Sequence, residues 1–280
     1  MIAQIEQSGP SFPSPVSEPA AGRSVEELLQ TVSTSRLSAW LQCRLKFYFR
    51  YVIGLTKPNT PARHLGTVVH SVLQQWNLAR WRKKPLDAQG LQMAIDAAWT
   101  PEEKDSIDWG GAEAEVTFKS EAALLIETYL RETPIAADEK PEAVEVSVEC
   151  DLRSKGLPVL VGVLDLVQAG GRIVDFKTTG KTPSAEMALH LHEAQLTAYA
   201  ILYRGATDRT ESTRELHHLI KTKTPKVLVV QDGPATENQI TRFLHQLDSY
   251  VQGLRDEDFV PSPGMACAAC EYFSECRAWR

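Results

Sequence analysis

Residues 157–178 read LPVLVGVLDLVQAGGRIVDFKT, two β-branched apolar runs joined by Ala169, Gly170 and Gly171. Runs of this kind are strands. A three-residue link containing glycine closes them into an antiparallel hairpin, since glycine supplies the left-handed backbone the loop needs. Yet Asp165, Asp175 and Lys177 stand inside these strands. A carboxylate withdrawn from water is costly unless a positive group neutralises it. Side chains alternate along a strand, so Asp165 shares a face with Val161 and Val163, and Asp175 with Ile173 and Lys177. The short link then sets Asp165 opposite Asp175, both pointing the same way. Two carboxylates that close repel each other. Either Lys177 neutralises them as an ion triad, or a divalent cation with oxygen ligands, Mg²⁺ or Mn²⁺, lies between them. Spacing leaves both solutions open.

Around this hairpin the chain alternates between helical and strand-like periods. SRLSAWLQCRLKFYFRYVIGL opens with Ser35 as a helix cap, and RHLGTVVHSVLQQWNLARWRKK forms a second helix that ends at Pro85. Weaker helical patterns cover 88–99 and 112–131, on either side of the polar stretch TPEEKDSIDWGG. In VEVSVECDL the period becomes two. Val144, Val146, Val148, Cys150 and Leu152 share one face, which makes Cys150 an ordinary core thiol. Glu145 and Glu149 lie opposite and read as surface residues. After the hairpin come a helix, MALHLHEAQLTAYAILYR, two strands, RELHHLIKT and KVLVVQD, an amphipathic helix over 236–255, and an irregular cysteine-bearing tail. This order predicts an α/β fold with a mixed central sheet flanked by helices, an N-terminal helical segment and a C-terminal cysteine-rich tail. The proline- and serine-rich start predicts a disordered tail over 1–33. One domain over 34–280 follows, comprising a basic helical segment (34–135), a core (142–232) and a terminal helix with tail (236–280).

The formal net charge is −6, but from Leu28 to Leu86 there are no acids and ten basic residues. The remainder carries 20 basic against 36 acidic residues. Such asymmetry predicts a surface facing a polyanion; a solvated helical face is the other reading. Phe47, Tyr48, Phe49, Trp76 and Trp81 interleave with these charges, as rings on which bases stack or as helix–helix packing. Lys221, Lys223 and Lys226 in IKTKTPK add charge that touches phosphate or guards an edge strand. No apolar run approaches ~20 residues, so no membrane helix is expected. The start has no basic and apolar secretory pattern, which predicts a cytoplasmic protein. In a reducing compartment cysteines bind metal more often than they pair. Cys267, Cys270 and Cys276 form C-x2-C-x5-C, one thiol short of a tetrahedral centre. Cys43 and Cys150 are the only other cysteines. No G-x4-G-K-[ST] motif occurs, so any unwinding motor is a separate chain.

GVLD, a turn, VDFKT and, about twenty residues on, QLTAY together resemble the PD-(D/E)XK nuclease superfamily. More narrowly, the pattern resembles its RecB-like exonuclease branch, similar to the AddB/RecB nuclease domains of recombination helicase–nucleases and to the CRISPR-adaptation nuclease. GVLD stands where the superfamily has its PD pair. Over residues 35–280 the resemblance implies a restriction-endonuclease-like core. It implies that Asp165 and Asp175, His70 of GTVVHSVL and the carbonyl of Phe176 hold Mg²⁺ or Mn²⁺. It assigns Lys177 to catalysis and Gln195 with Tyr199 to the family's Q-x3-Y helix. The branch also includes proteins with one cysteine before the core and three after it, which implies that Cys43, Cys267, Cys270 and Cys276 ligate a 4Fe–4S cluster. A structural Zn²⁺ is the alternative for four thiols. The implied activity is metal-dependent exonucleolytic hydrolysis of single-stranded or end-frayed DNA, leaving 5′-phosphate and 3′-hydroxyl ends. Its setting would be DNA repair, recombination or CRISPR-type processing, with a separate helicase or CRISPR-adaptation partner. A catalytically silent DNA-binding or scaffolding subunit is the rival reading, although such a chain is free to lose Asp165, Asp175 or Lys177.

Overall fold

The computed structural model describes residues 22–100, 107–136 and 138–280. Its six strands form one mixed sheet: β1 (Thr31–Ser33), β2 (Ala143–Asp151), β3 (Val159–Gln168), β4 (Arg172–Thr179), β5 (Thr213–Ile220) and β6 (Lys226–Asp232). β2 runs antiparallel along one edge of β3. The other edge of β3 is shared. β1 pairs in parallel with Val159, Leu160 and Val161, while β4 pairs antiparallel with Leu166, Val167 and Gln168. Residues 162–165 therefore face no strand on that edge, and the sheet carries a notch there. β4 continues parallel to β5, and β5 antiparallel to β6. Gln168 pairs with Arg172, so the link is the expected three residues. Gly170 and Gly171 adopt φ of 75° and 74°, a region that a side chain would strain.

Helices cover both faces. α4 (Pro61–Trp81), α5 (Ala88–Trp99) and α6 (Ala112–Glu132) place Leu65, Val69, Leu73, Ile95 and Ile126 against Leu166, Val174 and Phe176. α2 (Thr34–Gln42), α7 (Ala185–Thr207) and α8 (Glu237–Arg255) place Trp40, Leu202, Phe243 and Tyr250 against Leu160 and Leu164. Each such side chain contributes about 1.5–3 kcal/mol on burial. The helices that frame the site start at defined caps. Thr60 accepts the Arg63 N–H with Pro61 beside it, and Ser184 accepts the Met187 N–H, satisfying donors that the first turn leaves free. The α/β architecture matches the expectation. Among the described residues no helix is long and apolar enough to cross a membrane.

Three expectations need correction. The expected disordered tail covers 1–33, but α1 (Val25–Gln30) is a helix held by a Ser24–Glu27 capping box. Leu28 and Val32 are fully buried, because β1 joins the sheet. Residues 1–21 and 101–106, the latter from the expected polar loop, lie outside the described residues. Next, the first long helical pattern is broken. Ser33 rather than Ser35 caps α2, Cys43 is extended (φ −165°, ψ 114°), and α3 (Arg44–Phe47) leads into a π-helical turn, Tyr48–Val52. The Leu45 N–H consequently bonds the Val260 carbonyl at 3.1 Å, tying this segment to the C-terminal tail.

The third correction concerns β2. Val146, Val148 and Cys150 pack in the α7–α8 layer, whereas Val144 packs in the α4–α6 layer. Glu145 lies between them with φ of 47°, so the strand rotates by one side-chain position there. β3 steps in the same place: Leu164 faces the α7–α8 layer and Leu166 the α4–α6 layer. Asp165 sits at that step.

Candidate active site

The notch lets residues from both helical layers reach one point. From α4, His70 Nδ1 lies 3.3 Å from Asp165 Oδ2. The same oxygen accepts the Phe176 backbone N–H at 3.0 Å, bridging β3 and β4 beyond their last ladder pair. Amide and carbonyl of one strand residue point to the same side, so the Phe176 carbonyl also faces the notch. Burial pushes the Asp165 carboxyl above its ordinary range, and the negative charge of Asp175 adds to this. The His70 side chain, the Phe176 N–H and Lys177 act in opposition. α4 comes close enough for this because residue 66 is glycine; a Cβ there would sit 3.1 Å from Thr178 Oγ1.

From the other layer, Asp175 and Lys177 meet the helix α7. Lys177 Nζ is 2.8 Å from Asp175 Oδ2 and donates to Gln195 Oε1 at 2.8 Å. Gln195 Nε2 donates to Asp175 Oδ1 at 3.0 Å and to the Tyr199 hydroxyl at 2.9 Å. Tyr199 in turn donates to Asp175 Oδ1 at 3.4 Å. Gln195 and Tyr199 stand one turn apart and so present to one spot. Burial, then the charges of Asp175 and Asp165, push the Tyr199 phenol well above its ordinary value. It remains a neutral donor. The two acids and the lysine expected from the hairpin thus converge, with both helical groups beside them.

The donors fit a divalent cation. Asp175 is 1% exposed, and its Oδ2 has no aligned hydrogen bond; Lys177 contacts it as a charge only. That oxygen, Asp165, His70 and the Phe176 carbonyl form a hard oxygen and imidazole set of the kind such ions take. No three His, Cys, Asp or Glu side chains among the described residues already stand at metal-holding distances. The Lys177 ammonium pairs with Asp175, while Asp165 is approached by His70 and the Phe176 N–H.

Several basic residues of the acid-free segment serve the fold rather than a ligand. Arg80 is buried and donates to the carbonyls of Ala136 and Glu139 at 2.7 and 2.5 Å, and Arg36 is buried beside Thr31. Arg44, Lys46 and Lys57 pair with Asp258, Glu271 and Glu275 of the C-terminal segment. Phe47 and Phe49 are core residues, and Tyr48 packs on Phe259. Trp76 lies under Arg80 and Trp81 under Lys140. Arg82, Lys83 and Lys84 are exposed just past the C-terminal end of α4, and Arg63 is exposed on its first turn. Arg63, with exposed Lys181 just after β4 and Lys223 in the β5–β6 turn, stands at the end of the sheet that carries Lys177. Lys221 is engaged with Glu121 and the ring of Phe118.

The ion pairs to the C-terminal segment build a second corner. Leu45, Phe49 and Tyr272 form a small cluster on which Cys43, Cys270 and Cys276 pack. Tyr272 donates to the Leu55 carbonyl at 2.8 Å, and Cys267 Sγ accepts the Gly264 N–H at 3.4 Å. All five cysteines are free thiols. Burial, then the neighbouring Cys43, Cys267 and Cys270, raise the Cys276 thiol. Cys43, Cys270 and Cys276 thus share one corner with Cys267 near Cys276, while Cys150 packs apart from them in the α7–α8 core. Four cysteine side chains in one corner are the donor type that a thiophilic metal takes, although no three of them stand at metal-holding distances here.

Three residues at the site were not anticipated. Glu145, expected on the surface, occupies the position on β2 across from Asp165 and is half-buried. Burial, then the Asp165 charge, push its carboxyl up to about 7. His218, on β5, is the register partner of Lys177, and His192, on α7, has its ring centroid 6.3 Å from that of His218. The HH pair in RELHHLIKT and the spacing from His192 to Gln195 were the available signals.

Known proteins resemble this chain in fold and in sequence pattern. A crystal structure named "Putative exonuclease", from Eubacterium rectale, aligns with a TM-score of 0.58 over 92% of this chain and 91% of that one, at 13% identity. That likeness concerns the fold. The structure of SSO0001 aligns over 91% of this chain and 92% of its own, at 15% identity and a TM-score of only 0.40. No curated protein matches the sequence. The sequence pattern of the PD-(D/E)XK nuclease superfamily matches residues 31–277, nearly the whole folded part, with Asp165, Asp175 and Lys177 inside the match. The chain belongs to the PD-(D/E)XK nuclease superfamily.

Proposed function

We propose that the protein is a divalent-metal-dependent DNA exonuclease acting on single-stranded or frayed ends. The observation that carries this reading is the meeting of Asp165, Asp175 and Lys177 in the notch, with Gln195 clamping the last two. Asp165, Asp175, His70 and the Phe176 carbonyl would hold Mg²⁺ or Mn²⁺. Such an ion supplies a more acidic attacking water and takes up charge on the phosphate. Lys177 orients that water and stabilises charge on the phosphate oxygens. Gln195 bonds both Lys177 and Asp175 and so keeps the lysine at the site, and Tyr199 bonds Gln195 in turn. Arg63, Lys181 and Lys223 line the approach and draw the nucleic-acid backbone by charge. The working unit is one domain over 34–280, to which α1 and β1 add an N-terminal extension.

The same reading gives the thiol corner a structural role. Cys43, Cys267, Cys270 and Cys276 would ligate a 4Fe–4S cluster, or Zn²⁺ as the second possibility, fastening the first helices to the tail. The ion pairs of Arg44, Lys46 and Lys57 already bring these segments together.

The test uses linear and circular single-stranded DNA, the linear form end-labelled, with Mn²⁺ or Mg²⁺. The wild type should shorten linear DNA and leave circles intact, and Asp175→Asn should do neither. Cleavage of circles at the same rate would make the enzyme an endonuclease. Inert wild-type protein that still retains DNA would favour the silent binding subunit.

A further inference from the structure

His218 is 4% exposed, and neither of its ring nitrogens has a hydrogen-bond partner. A buried polar group left unsatisfied costs about 1–3 kcal/mol, so such a group calls for a partner: a water, an ion or a side chain within reach. The register shows which partner is nearest. His218 pairs with Lys177 across the parallel β4–β5 ladder. Register partners project to the same face, on strands about 4.8 Å apart. That face also carries Asp175, and His192 closes it from α7. On the opposite face of β5, His217 is engaged with Tyr129 and Glu215 and takes no part.

We propose that His218, with His192 above it, is the second seat of the Lys177 ammonium, taking it up when Asp175 Oδ2 turns to a divalent cation. The inference rests on the metal reading given above and concerns how the chain makes room for the ion. Lys177 has three N–H donors. In this structure the ammonium contacts Asp175 Oδ2 as a charge at 2.8 Å and donates to Gln195 Oε1. For Oδ2 to become a ligand, Lys177 must leave it. Gln195 Oε1 stays available, and a His218 ring nitrogen replaces the lost carboxylate contact. Burial, then His192 and Lys177, hold the His218 imidazole down at about 4, with Asp175 acting in the opposite sense. His218 is thus neutral at pH 7 and keeps a lone pair to accept the ammonium. Without this seat Lys177 would compete with the ion for Asp175. His218 is a positioning residue, since it acts through Lys177.

The test is a double-mutant cycle on Mg²⁺ affinity, measured by calorimetry on wild type, His218→Leu, Lys177→Met and the double variant. His218→Leu should weaken Mg²⁺ binding about tenfold, the equivalent of one net hydrogen bond to a charged group. In the Lys177→Met background the same substitution should change nothing. His218→Asn, which restores an acceptor, should recover part of the loss. A second readout needs no substitution at His218: ring-nitrogen NMR signals of His218 should shift on Mg²⁺ addition in the wild type and stay unmoved in Lys177→Met. Equal effects of His218→Leu in both backgrounds, or a His218 ring that ignores Mg²⁺ in the wild type, overturn this inference and leave the metal reading standing. A wild type that binds no divalent cation overturns both.

Discussion

Asp165 Oδ2 accepts the Phe176 backbone N–H at 3.0 Å, one position beyond the last ladder pair of β3 and β4, Leu166 with Val174. A side chain thus does the work of a ladder bond, and the strands separate around it. This opens the notch into which His70 enters from one helical layer and Asp175 and Lys177 from the other.

That arrangement sets stability against function at Asp165. Its buried carboxyl is pushed toward the neutral form, and asparagine is neutral while still able to accept the Phe176 N–H. In metal-free protein Asp165→Asn should unfold at the same temperature as wild type or higher, by up to ~1 kcal/mol. Asp165→Ala leaves the amide unpaired and should cost about 1–3 kcal/mol. Both should lose cleavage. Thermal unfolding in chelator, beside a cleavage assay, checks the pair.

Gln195 and Tyr199 separate into unequal roles. Gln195 touches Lys177, Asp175 and Tyr199, so Gln195→Ala should lower kcat roughly 10–100-fold, chiefly through misplaced Lys177. Tyr199→Phe keeps the ring in the core and removes only a long hydrogen bond to Asp175 and the support of Gln195. Its loss should stay within about tenfold. Steady-state kinetics on both variants decide the order.

The thiol corner predicts a grouped response. Serine at Cys43, Cys267, Cys270 or Cys276 should reduce bound iron or zinc and lower Tm by roughly 5–10 °C. Cys150→Ser should leave metal content at the wild-type level, because Cys150 packs apart from the other four. Elemental analysis and the visible spectrum of anaerobically handled protein identify the metal: colour with iron for the cluster, colourless with zinc otherwise.

Glu215 supplies a pH dependence remote from the cation site. Burial alone would raise its carboxyl, but His217 and Arg172, at 3.0 and 3.2 Å, overcome this and bring it down to about 2 from 4.5. A carboxyl with a depressed folded value binds fewer protons folded than unfolded. Its stabilisation is present above pH 4.5 and lost as pH falls toward 2, on the order of 3 kcal/mol in all. Glu215→Gln should flatten that part of the curve. Urea unfolding between pH 5 and pH 2 measures the difference in slope.

Much of this was legible in the residues. The alternating runs and the Gly-bearing link gave the hairpin and its loop length, because turn chemistry and strand period are local properties. Asp165, Asp175 and Lys177 were visible as charges where a strand wants apolar groups, and the Gln195–Tyr199 pair through the resemblance to the family's Q-x3-Y helix. What could not be read depends on distant partners or on rare backbone. Glu145 takes φ of 47° without the glycine or asparagine that would announce it. Val144 consequently changes sides, against the simple alternation. The Cys43 break is held by a bond from Leu45 to Val260, more than 200 residues away. Arg44, Lys46 and Lys57 read as a polyanion surface, whereas their acids lie in the C-terminal segment. His218 was marked only by the HH pair of RELHHLIKT; the β4–β5 register is what puts it beside Lys177.

The most direct measurement titrates Mn²⁺ calorimetrically into wild type, Asp175→Asn and Lys177→Met, and follows cleavage of end-labelled single-stranded DNA by each. Lys177 occupies Asp175 Oδ2 but would not ligate the ion. Lys177→Met should therefore bind Mn²⁺ at least as tightly as wild type while losing cleavage, and Asp175→Asn should lose both. Wild-type cleavage by Lys177→Met, or undiminished Mn²⁺ binding by Asp175→Asn, would contradict it.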